Sequence, residues 1–430
     1  MNRIFTKGLI FFKNRLWLII LLMQFIMVSQ AYSLTSSDSL VYGSPEEVCM
    51  SSKGLNKALQ LYKDCISNGD LVGAVLLVSR NGHVVLHEAV GLRDKENNLA
   101  MEKDTLFRMA SMTKPIISTG ILILAERGKL DLNDPVYKYI PSFGKGLARK
   151  ITIRQLLNHT SGFRFKSIYL FPLIERSEKY PNAPNLQIEV ARFGEVGPDI
   201  EPGTSYSYSN SGYNTLGAII EIVSGKTYED FMRDEIHAPL GAVKSTHNSG
   251  KINFSQLPVI YQKIHGKWYA NSRMGIEYLP IVIPAGSLFS TAFEYAKFCH
   301  LFLNGGKYDG KQILNEKSIQ MATTNGVFTK YPYPTPSQLQ ARKMIPPWYY
   351  RRSIGGYEDL GVPERLSLDS SYGFGWVLAR DRIFSHGSLF GNFVWIDPGR
   401  RIIGLILTQS IGGKNPGVEF MEAVNASVIK

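Results

Sequence analysis

The chain has 430 residues, of which 44% are hydrophobic and 20% charged, and its net charge is +12. That length exceeds what one hydrophobic core usually organises, and the composition excludes a long disordered arm. The basic residues are spread along the chain with no basic-aromatic block, so we expect no nucleic-acid partner. Mild attraction to anionic lipid or cell-wall polymer, as a peripheral association with membrane or cell wall, remains compatible with this charge.

Residues 1–31 have the pattern of a secretory signal peptide. Four basic residues open the segment, namely Arg3, Lys7, Lys13 and Arg15. An apolar run, Leu16–Val28, follows, and the small residues at Ser29 and Ala31 predict cleavage after Ala31. We therefore expect a secreted or periplasmic protein of residues 32–430, with a net charge of about +8 once the four signal charges are removed from +12. The alternative is an uncleaved helix that anchors the chain in a membrane.

The cysteine and histidine patterns give little support to disulfide or metal chemistry. Three cysteines are few for an exported protein. Cys49 and Cys65 can pair near the N-terminal edge, whereas Cys299 lies on an apolar helical face typical of a core position. The sequence has no H-E-x-x-H and no paired C-x-x-C, so we expect no metal and no organic cofactor.

The first elements after the signal are a helix, a hairpin and a second helix. Gly54–Asn68 has helical periodicity, and two alternating strands then flank Asn81-Gly82, the strongest short hairpin signal. Ser111–Arg127 is predicted as a long, largely apolar helix that ends at Gly128.

The rest of the chain reads as a helical middle followed by strands. Asp131–Pro280 contains mostly helical segments and loops, and Gly417–Val428 is a last helix. Strand-like runs return at Tyr372–Ala379, Arg382–His386, Asn392–Ile396 and Ile402–Thr408. This order predicts one sheet assembled from both ends of the chain, with a helical region inserted and a cleft between them. Residues 327–367, rich in Pro, Tyr and basic residues, read as a long surface loop that can cover the cleft.

The first motif with chemical content is Ser111-x-x-Lys114 at the start of the long apolar helix. Positions three apart share a helix face, so the Lys114 amine can reach the Ser111 hydroxyl. Pro115 suits an early helical turn, where the backbone N–H groups favour developing negative charge. The spacing alone is weak evidence, because Ser142–Lys145 and Ser427–Lys430 repeat it and a helix cap with a surface lysine would look the same.

Two further motifs strengthen this interpretation. Tyr208-Ser209-Asn210 precedes another apolar helix; a phenol beside a lysine can relay a proton, and an amide can bond both the lysine and a substrate carbonyl. His386-Gly387-Ser388 lies among the terminal strands, where the N–H groups of Leu389 and Ser111 can form an oxyanion hole. A tyrosine-rich loop and a plain strand with a surface histidine are the structural alternatives.

Together the three motifs resemble the serine β-lactamase and penicillin-binding protein family. They are most similar to the class C β-lactamases and the β-lactamase-fold esterases and D-amino-peptidases, in which S-x-x-K, Y-x-N and K/H-x-G occur in this order. The similarity extends to Leu156–Phe163, Pro202–Phe231, Ala285–Gly306 and Tyr372–Leu378. No G-x-S-x-G is present, which speaks against an α/β-hydrolase.

The resemblance implies an α/β fold of the α+β type, with an antiparallel sheet flanked by helices and an inserted mainly helical domain. We expect residues 32–135 and 281–430 to form the α/β subdomain and residues 136–280 the helical one. It implies Ser111, Lys114 and Tyr208 as catalytic residues, and Asn210, His386, Gly387, Ser388 and Leu389 as the substrate-binding and oxyanion set. Whether Lys114 or Tyr208 is the general base stays open.

Two positions depart from the family pattern. Ser388 stands where glycine is usual, so its side chain can crowd the substrate path or reshape the oxyanion hole. His386 replaces the lysine of true class C β-lactamases, which points away from antibiotic hydrolysis. We therefore expect an exported serine hydrolase with a Ser111 acyl-enzyme and a carboxylesterase-type activity on a small ester. The alternatives are a D-alanyl-D-alanine carboxypeptidase or D-amino-peptidase, a class C-like β-lactamase, and a penicillin- or cell-wall-binding module without turnover.

Overall fold

The computed structural model describes residues 37–163, 176–178, 181–271, 281–324, 327–328, 371–379 and 382–429. The predicted signal peptide lies outside the described residues, and so does all of the predicted 327–367 loop apart from its first two residues. Within the described ranges, no helix is both long enough and apolar enough to cross a bilayer.

The strands come in chain order as β1 (Val41–Tyr42), β2 (Gly73–Arg80), β3 (His83–Asp94), β4 (Leu99–Ala100), β5 (Phe107–Arg108), β6 (Tyr261–Ile264), β7 (Lys267–Ala270), β8 (Phe289–Ser290), β9 (Lys307–Tyr308), β10 (Lys311–Gln312), β11 (Val327–Phe328), β12 (Ser371–Tyr372), β13 (Val377–Leu378), β14 (Phe384–Gly387), β15 (Phe393–Asp397), β16 (Ile402–Thr408) and β17 (Ser410–Ile411). The α-helices are α1 (Ser52–Ser67), α2 (Lys114–Glu126), α3 (Ile153–Leu157), α4 (Leu186–Val196), α5 (Asn210–Ser224), α6 (Tyr228–Met232), α7 (Ala292–Leu303), α8 (Glu316–Thr324) and α9 (Gly417–Ala426).

One large sheet combines strands from both ends of the chain. Its order is β1-β3-β2-β16-β15-β14-β13-β12-β11, and β4 pairs with β3 outside this path. All its pairs are antiparallel apart from β1 with β3. The central contact joins β2 to β16, with Leu77 opposite Leu405. The predicted assembly of one antiparallel sheet from the two chain ends is confirmed.

The central strands are buried on both faces because helices cover both sides of the sheet. On β16, Ile403, Leu405 and Leu407 belong to the core shared with α2, α5 and α7. The alternate residues Ile402 and Ile406 pack into the opposite core, which α1 and α9 cover. Side chains alternate between the faces of a strand, so a strand covered twice reads as the continuous apolar run seen here.

The predicted hairpin at Asn81-Gly82 is present between β2 and β3. Both turn residues have positive φ, 52° for Asn81 and 83° for Gly82, as a tight two-residue hairpin requires. The predicted C-terminal strands also form, with Ile402–Thr408 matching β16 at both ends.

Three elements differ from the sequence-based expectation. The run Tyr372–Ala379 is a hairpin of β12 and β13 rather than one strand, because the chain turns at Gly375 (φ +82°) against the start of α2. The long helix begins as a 3-10 turn at Ala110–Thr113, and only Lys114–Glu126 is α-helical. A β6–β7 hairpin lies in the region predicted to be helical, and β6 pairs in parallel with β17.

The cysteines carry no cross-link. Cys49, Cys65 and Cys299 are free thiols, so the Cys49–Cys65 bridge left open by the sequence does not form here. Cys299 is fully buried on α7, which confirms its prediction as a core residue.

Candidate active site

Ser111 lies on the 3-10 turn Ala110–Thr113 between β5 and α2. The residue before it, Ala110, has φ +46°, a left-handed conformation that costs a residue with a Cβ about 1 kcal/mol. The turn holds this conformation because Thr113 Oγ1 donates to the Ala110 carbonyl at 2.6 Å and Met109 N–H to the Leu288 carbonyl at 2.8 Å. The strain sits next to the predicted nucleophile, where strained residues commonly cluster.

Lys114 occupies the first turn of α2, and its side chain is fully buried. Its Nζ lies 3.3 Å from Ser111 Oγ, 2.8 Å from Asn210 Oδ1 and 3.2 Å from the Ala285 carbonyl oxygen. The Nζ also lies 4.6 Å from the centre of the Tyr208 ring. The structure thus brings together the predicted residues from the first and second motifs, which are about a hundred positions apart in the chain.

Burial lowers the pKa of the Lys114 amine well below its ordinary value. No carboxylate contributes to this shift, so desolvation alone disfavours the ammonium form. A neutral amine has two N–H donors and one lone pair. Asn210 Oδ1 and the Ala285 carbonyl accept the two N–H bonds, which leaves the lone pair for the Ser111 hydroxyl proton.

Tyr208 precedes α5 in a loop, and the residues on either side of it, Ser207 and Ser209, both hydrogen-bond to His159. The His159 carbonyl accepts the Ser207 N–H at 2.8 Å, and its Nδ1 accepts the Ser209 N–H at 3.0 Å. The His159 ring centre lies 4.4 Å from that of Tyr208. His159 itself has φ +60° and is fully buried, and burial lowers its pKa well below the ordinary value, so the ring is neutral.

His386 lies on β14, which contacts the 3-10 turn of Ser111. Its Nδ1–H donates to the Gly387 carbonyl at 2.7 Å, and its Nε2 therefore accepts the Tyr372 hydroxyl at 3.1 Å. Burial, together with the nearby Lys114, lowers the pKa of His386 to about 3. The structural alternative, a plain strand with a surface histidine, is thus wrong. The His386 ring is buried and neutral, and its centre lies 6.5 Å from the centre of the Tyr208 ring.

The segment after β14 turns sharply, and Ser388 is part of that turn. The Ser388 N–H donates to the Asn392 carbonyl at 2.8 Å, and its Oγ lies 3.4 Å from the Phe390 N–H. Ser388 is only 1% exposed, whereas Leu389 is 36% exposed. The Ser388 hydroxyl therefore has a partner inside the turn. In the described part of the chain, no group accepts the Leu389 N–H, which stays available to a substrate oxygen.

Sequence reasoning missed several groups that complete the site. They are the Ala285 carbonyl that accepts from Lys114, Asn214 whose Oδ1 fixes the Ala285 N–H at 2.9 Å, His159, Tyr372 and Asn392. His159 stands in the stretch Leu156–Phe163, already singled out for its family similarity, and that was its one available signal. Among the described residues, no cluster of three His, Cys, Asp or Glu side chains can hold a metal ion.

Comparisons with known proteins identify the family of this chain. The family model described as Beta-lactamase aligns with residues 58–423. Esterase EstB of Burkholderia gladioli is 34% identical over 181 residues, 40% of this chain and 46% of the esterase. Penicillin-binding protein 4* of Bacillus subtilis is 31% identical over 186 residues, 43% of this chain and 40% of that protein. Both matches thus span under half of the relative.

A solved structure with the same fold is the octameric penicillin-binding protein homologue of Pyrococcus abyssi. Its TM-score is 0.66 at 21% identity, with 86% of this chain and 77% of that chain covered. The predicted β-lactamase/transpeptidase-like fold is therefore confirmed.

The buried neutral His386 predicts a specific acid sensitivity. The unfolded chain binds a proton at this imidazole near pH 6.5 but the native chain only near 3, so His386 lowers stability as pH falls between these values. In His386→Gln, the slope of unfolding free energy against pH between 4.5 and 6 should decrease by about 1.4 kcal/mol per pH unit. Urea unfolding across this range measures the slope.

The matched control is Tyr372→Phe, which removes the hydroxyl bonded to His386 Nε2 but keeps the imidazole. This variant should keep the wild-type slope. An unchanged slope in His386→Gln would contradict a neutral native imidazole.

Proposed function

This chain belongs to the beta-lactamase family of serine hydrolases, and from that premise we propose that it hydrolyses small carboxylic esters through an acyl-enzyme on Ser111. The observation that carries the proposal is the buried Lys114 amine, held 3.3 Å from the Ser111 hydroxyl with no carboxylate beside it among the described residues. A neutral amine in this position has the geometry of a general base.

In the acylation step, Ser111 Oγ attacks the ester carbonyl carbon and its proton moves to Lys114 Nζ. The negative charge that forms on the carbonyl oxygen is held by the N–H groups of Ser111 and Leu389. The bond between the carbonyl carbon and the alcohol oxygen then breaks. The departing alcohol takes the proton from Lys114, directly or through the Tyr208 hydroxyl, and the acyl group stays on Ser111.

Deacylation reverses these roles with water as the nucleophile. Water gives its proton to the base as its oxygen attacks the acyl carbon, and Ser111 Oγ leaves and regains a proton. In this scheme Lys114 is the base and Tyr208 the relay, because the Lys114 lone pair is directed at Ser111 once its two N–H bonds are occupied. The reverse assignment, with Tyr208 as base, is the alternative.

Esters rank first among the substrates for two reasons. His386 is neutral and cannot supply the positive charge that a lysine offers to a substrate carboxylate at this strand position. The similarity to Esterase EstB also supports ester hydrolysis. The similarity to Penicillin-binding protein 4* favours a D-amino-acid peptide as the second candidate.

A covalent label should distinguish this enzyme from a merely similar fold. Incubation with a fluorophosphonate should modify wild type at Ser111, located by peptide mass mapping, and should leave Ser111→Ala unmodified. Ser142→Ala is the matched control because Ser142 has the same spacing to Lys145, and it should label like wild type. Labelling of Ser111→Ala at the wild-type level would remove Ser111 from the mechanism.

A substrate panel separates the esterase from its alternatives. We expect turnover of a short-chain chromogenic ester with a kcat/KM at least about 100-fold above that for nitrocefin or a D-alanyl-D-alanine peptide, equivalent to about 3 kcal/mol of transition-state binding. A preference for the peptide would replace the ester assignment with a carboxypeptidase. Stoichiometric acylation by penicillin without release would identify a binding module instead.

The proposed site of action is outside the cytoplasm. The support is the N-terminal pattern of basic residues, apolar run and small residues at Ser29 and Ala31. Expression of the full chain in a bacterium should yield an exported form whose N-terminus, read by intact mass and sequencing, is Tyr32. A protein that keeps residues 1–31 and fractionates with membranes would establish the anchored alternative.

A further inference from the structure

Asn392 is a fully buried amide that joins two strands next to the candidate oxyanion hole. Its Nδ2–H donates to the Arg108 carbonyl at 3.0 Å, and its Oδ1 accepts the Thr408 N–H at 2.7 Å. Arg108 ends β5, three residues before Ser111, and Thr408 ends β16. The Asn392 side chain therefore hydrogen-bonds both β5, which leads to Ser111, and β16.

The backbone of the oxyanion turn, defined as Ser388–Asn392, is also held by hydrogen bonds to the end of β16 and to β17. The Phe390 carbonyl accepts Thr408 Oγ1–H at 2.7 Å and the Ser410 N–H at 3.1 Å. The Gly391 N–H donates to the Ser388 carbonyl at 3.1 Å. Among the described residues, the Leu389 N–H of this turn has no acceptor.

A second, partly buried amide links the oxyanion turn to α1 on the other side of the sheet. Asn415 Nδ2 donates to the Gly391 carbonyl at 3.3 Å, and its Oδ1 accepts the Tyr62 hydroxyl of α1 at 2.6 Å. Gly391 has φ +80°, and a Cβ there would lie 2.6 Å from Thr408 Oγ1. The turn is thus fitted closely against β16, with no room to shift toward it.

We propose that Asn392 is a positioning residue that fixes the Leu389 N–H relative to Ser111, so that both oxyanion donors meet one substrate oxygen. This inference rests on the proposed function. Asn392 touches no substrate in this scheme. It acts because its amide bonds Arg108 on the nucleophile side and Thr408 on the turn side at once. Backbone donors stabilise an oxyanion only when they are preorganised, so loss of either bond should affect the transition state more than the bound substrate.

The test replaces Asn392 by an isosteric acid. Asn392→Asp keeps an acceptor for the Thr408 N–H but places an oxygen against the Arg108 carbonyl, which turns attraction into repulsion. The rate of Ser111 acylation by a chromogenic ester should fall about 100-fold, as expected for a displacement of about 1 Å at a reacting group. KM should stay within about twofold of wild type. The affinity for an arylboronic acid, whose tetrahedral adduct mimics the oxyanion, should fall by a similar factor to the rate.

Two further variants separate positioning from a general loss of stability. Val75→Ala removes buried methyl groups on β2, opposite Leu407 and outside the hydrogen bonds that hold the turn, and should lower stability while the acylation rate stays at the wild-type value. Thr408→Val removes the donor to the Phe390 carbonyl in a side chain of similar shape, and should slow acylation about tenfold with KM unchanged. If Asn392→Asp does not fold, Thr408→Val is the variant that tests the positioning role.

The outcomes distinguish the inference from the function on which it rests. If wild type labels at Ser111 but Asn392→Asp, or Thr408→Val in its place, acylates at the wild-type rate, the positioning role is overturned and the hydrolase stands. A fall in rate matched by Val75→Ala, or a rise in KM without loss of boronic acid affinity, also overturns it. If wild type does not label at Ser111, both proposals fail.

Discussion

The desolvated amine of Lys114 is the constraint on which the rest of this site depends. Burial lowers the pKa of this amine well below its ordinary value, so the native state favours the neutral amine more strongly than the unfolded chain does. That difference works against folding at neutral pH. The surrounding structure must therefore supply the stability, and it does so with a sheet whose central strands are buried on both faces.

The geometry around Lys114 explains why burial here is tolerated. The amine donates hydrogen bonds to Asn210 Oδ1 and the Ala285 carbonyl, so its two N–H groups are satisfied without water. Asn214 in turn fixes the peptide of Ala285. The neutral rings of His159 and His386 add no positive charge nearby. Three separate parts of the chain thus converge on one nitrogen atom without placing a second charge next to it.

The sequence predicted the elements whose signals are local. The Asn81-Gly82 turn, the apolar run of β16 and most of the helix predicted at Ser111–Arg127 depend on short-range preferences, and they are present. The β6–β7 hairpin was missed because its turn, His265-Gly266, has positive φ at both positions but lacks the usual Asn or Asp signal. Its partner β17 lies about 150 residues further on, and no local pattern indicates such a pairing.

The candidate site likewise combines residues that sequence motifs predict with groups that only the fold brings into place. Motif order and family resemblance pointed to Ser111, Lys114 and Asn210, which the structure brings into contact. The Ala285 carbonyl could not be predicted, because every residue has one and only the fold selects which faces the amine. The role of Asn392 was equally hidden in the sequence, since an asparagine that begins a predicted strand, Asn392–Ile396, carries no signal for a buried contact to Arg108.

The parallel pairing of β6 with β17 joins the β6–β7 hairpin to the segment that directly follows β16 of the large sheet. Ile260, just before β6, packs against Ala110, Phe390 and Ile411, which lie beside the nucleophile turn and on the oxyanion side. Removal of the β6–β7 hairpin together with Ile260 would expose the apolar side chains of Ala110, Phe390 and Ile411. The segment that leads into β6 is therefore part of the apolar packing that supports the nucleophile turn.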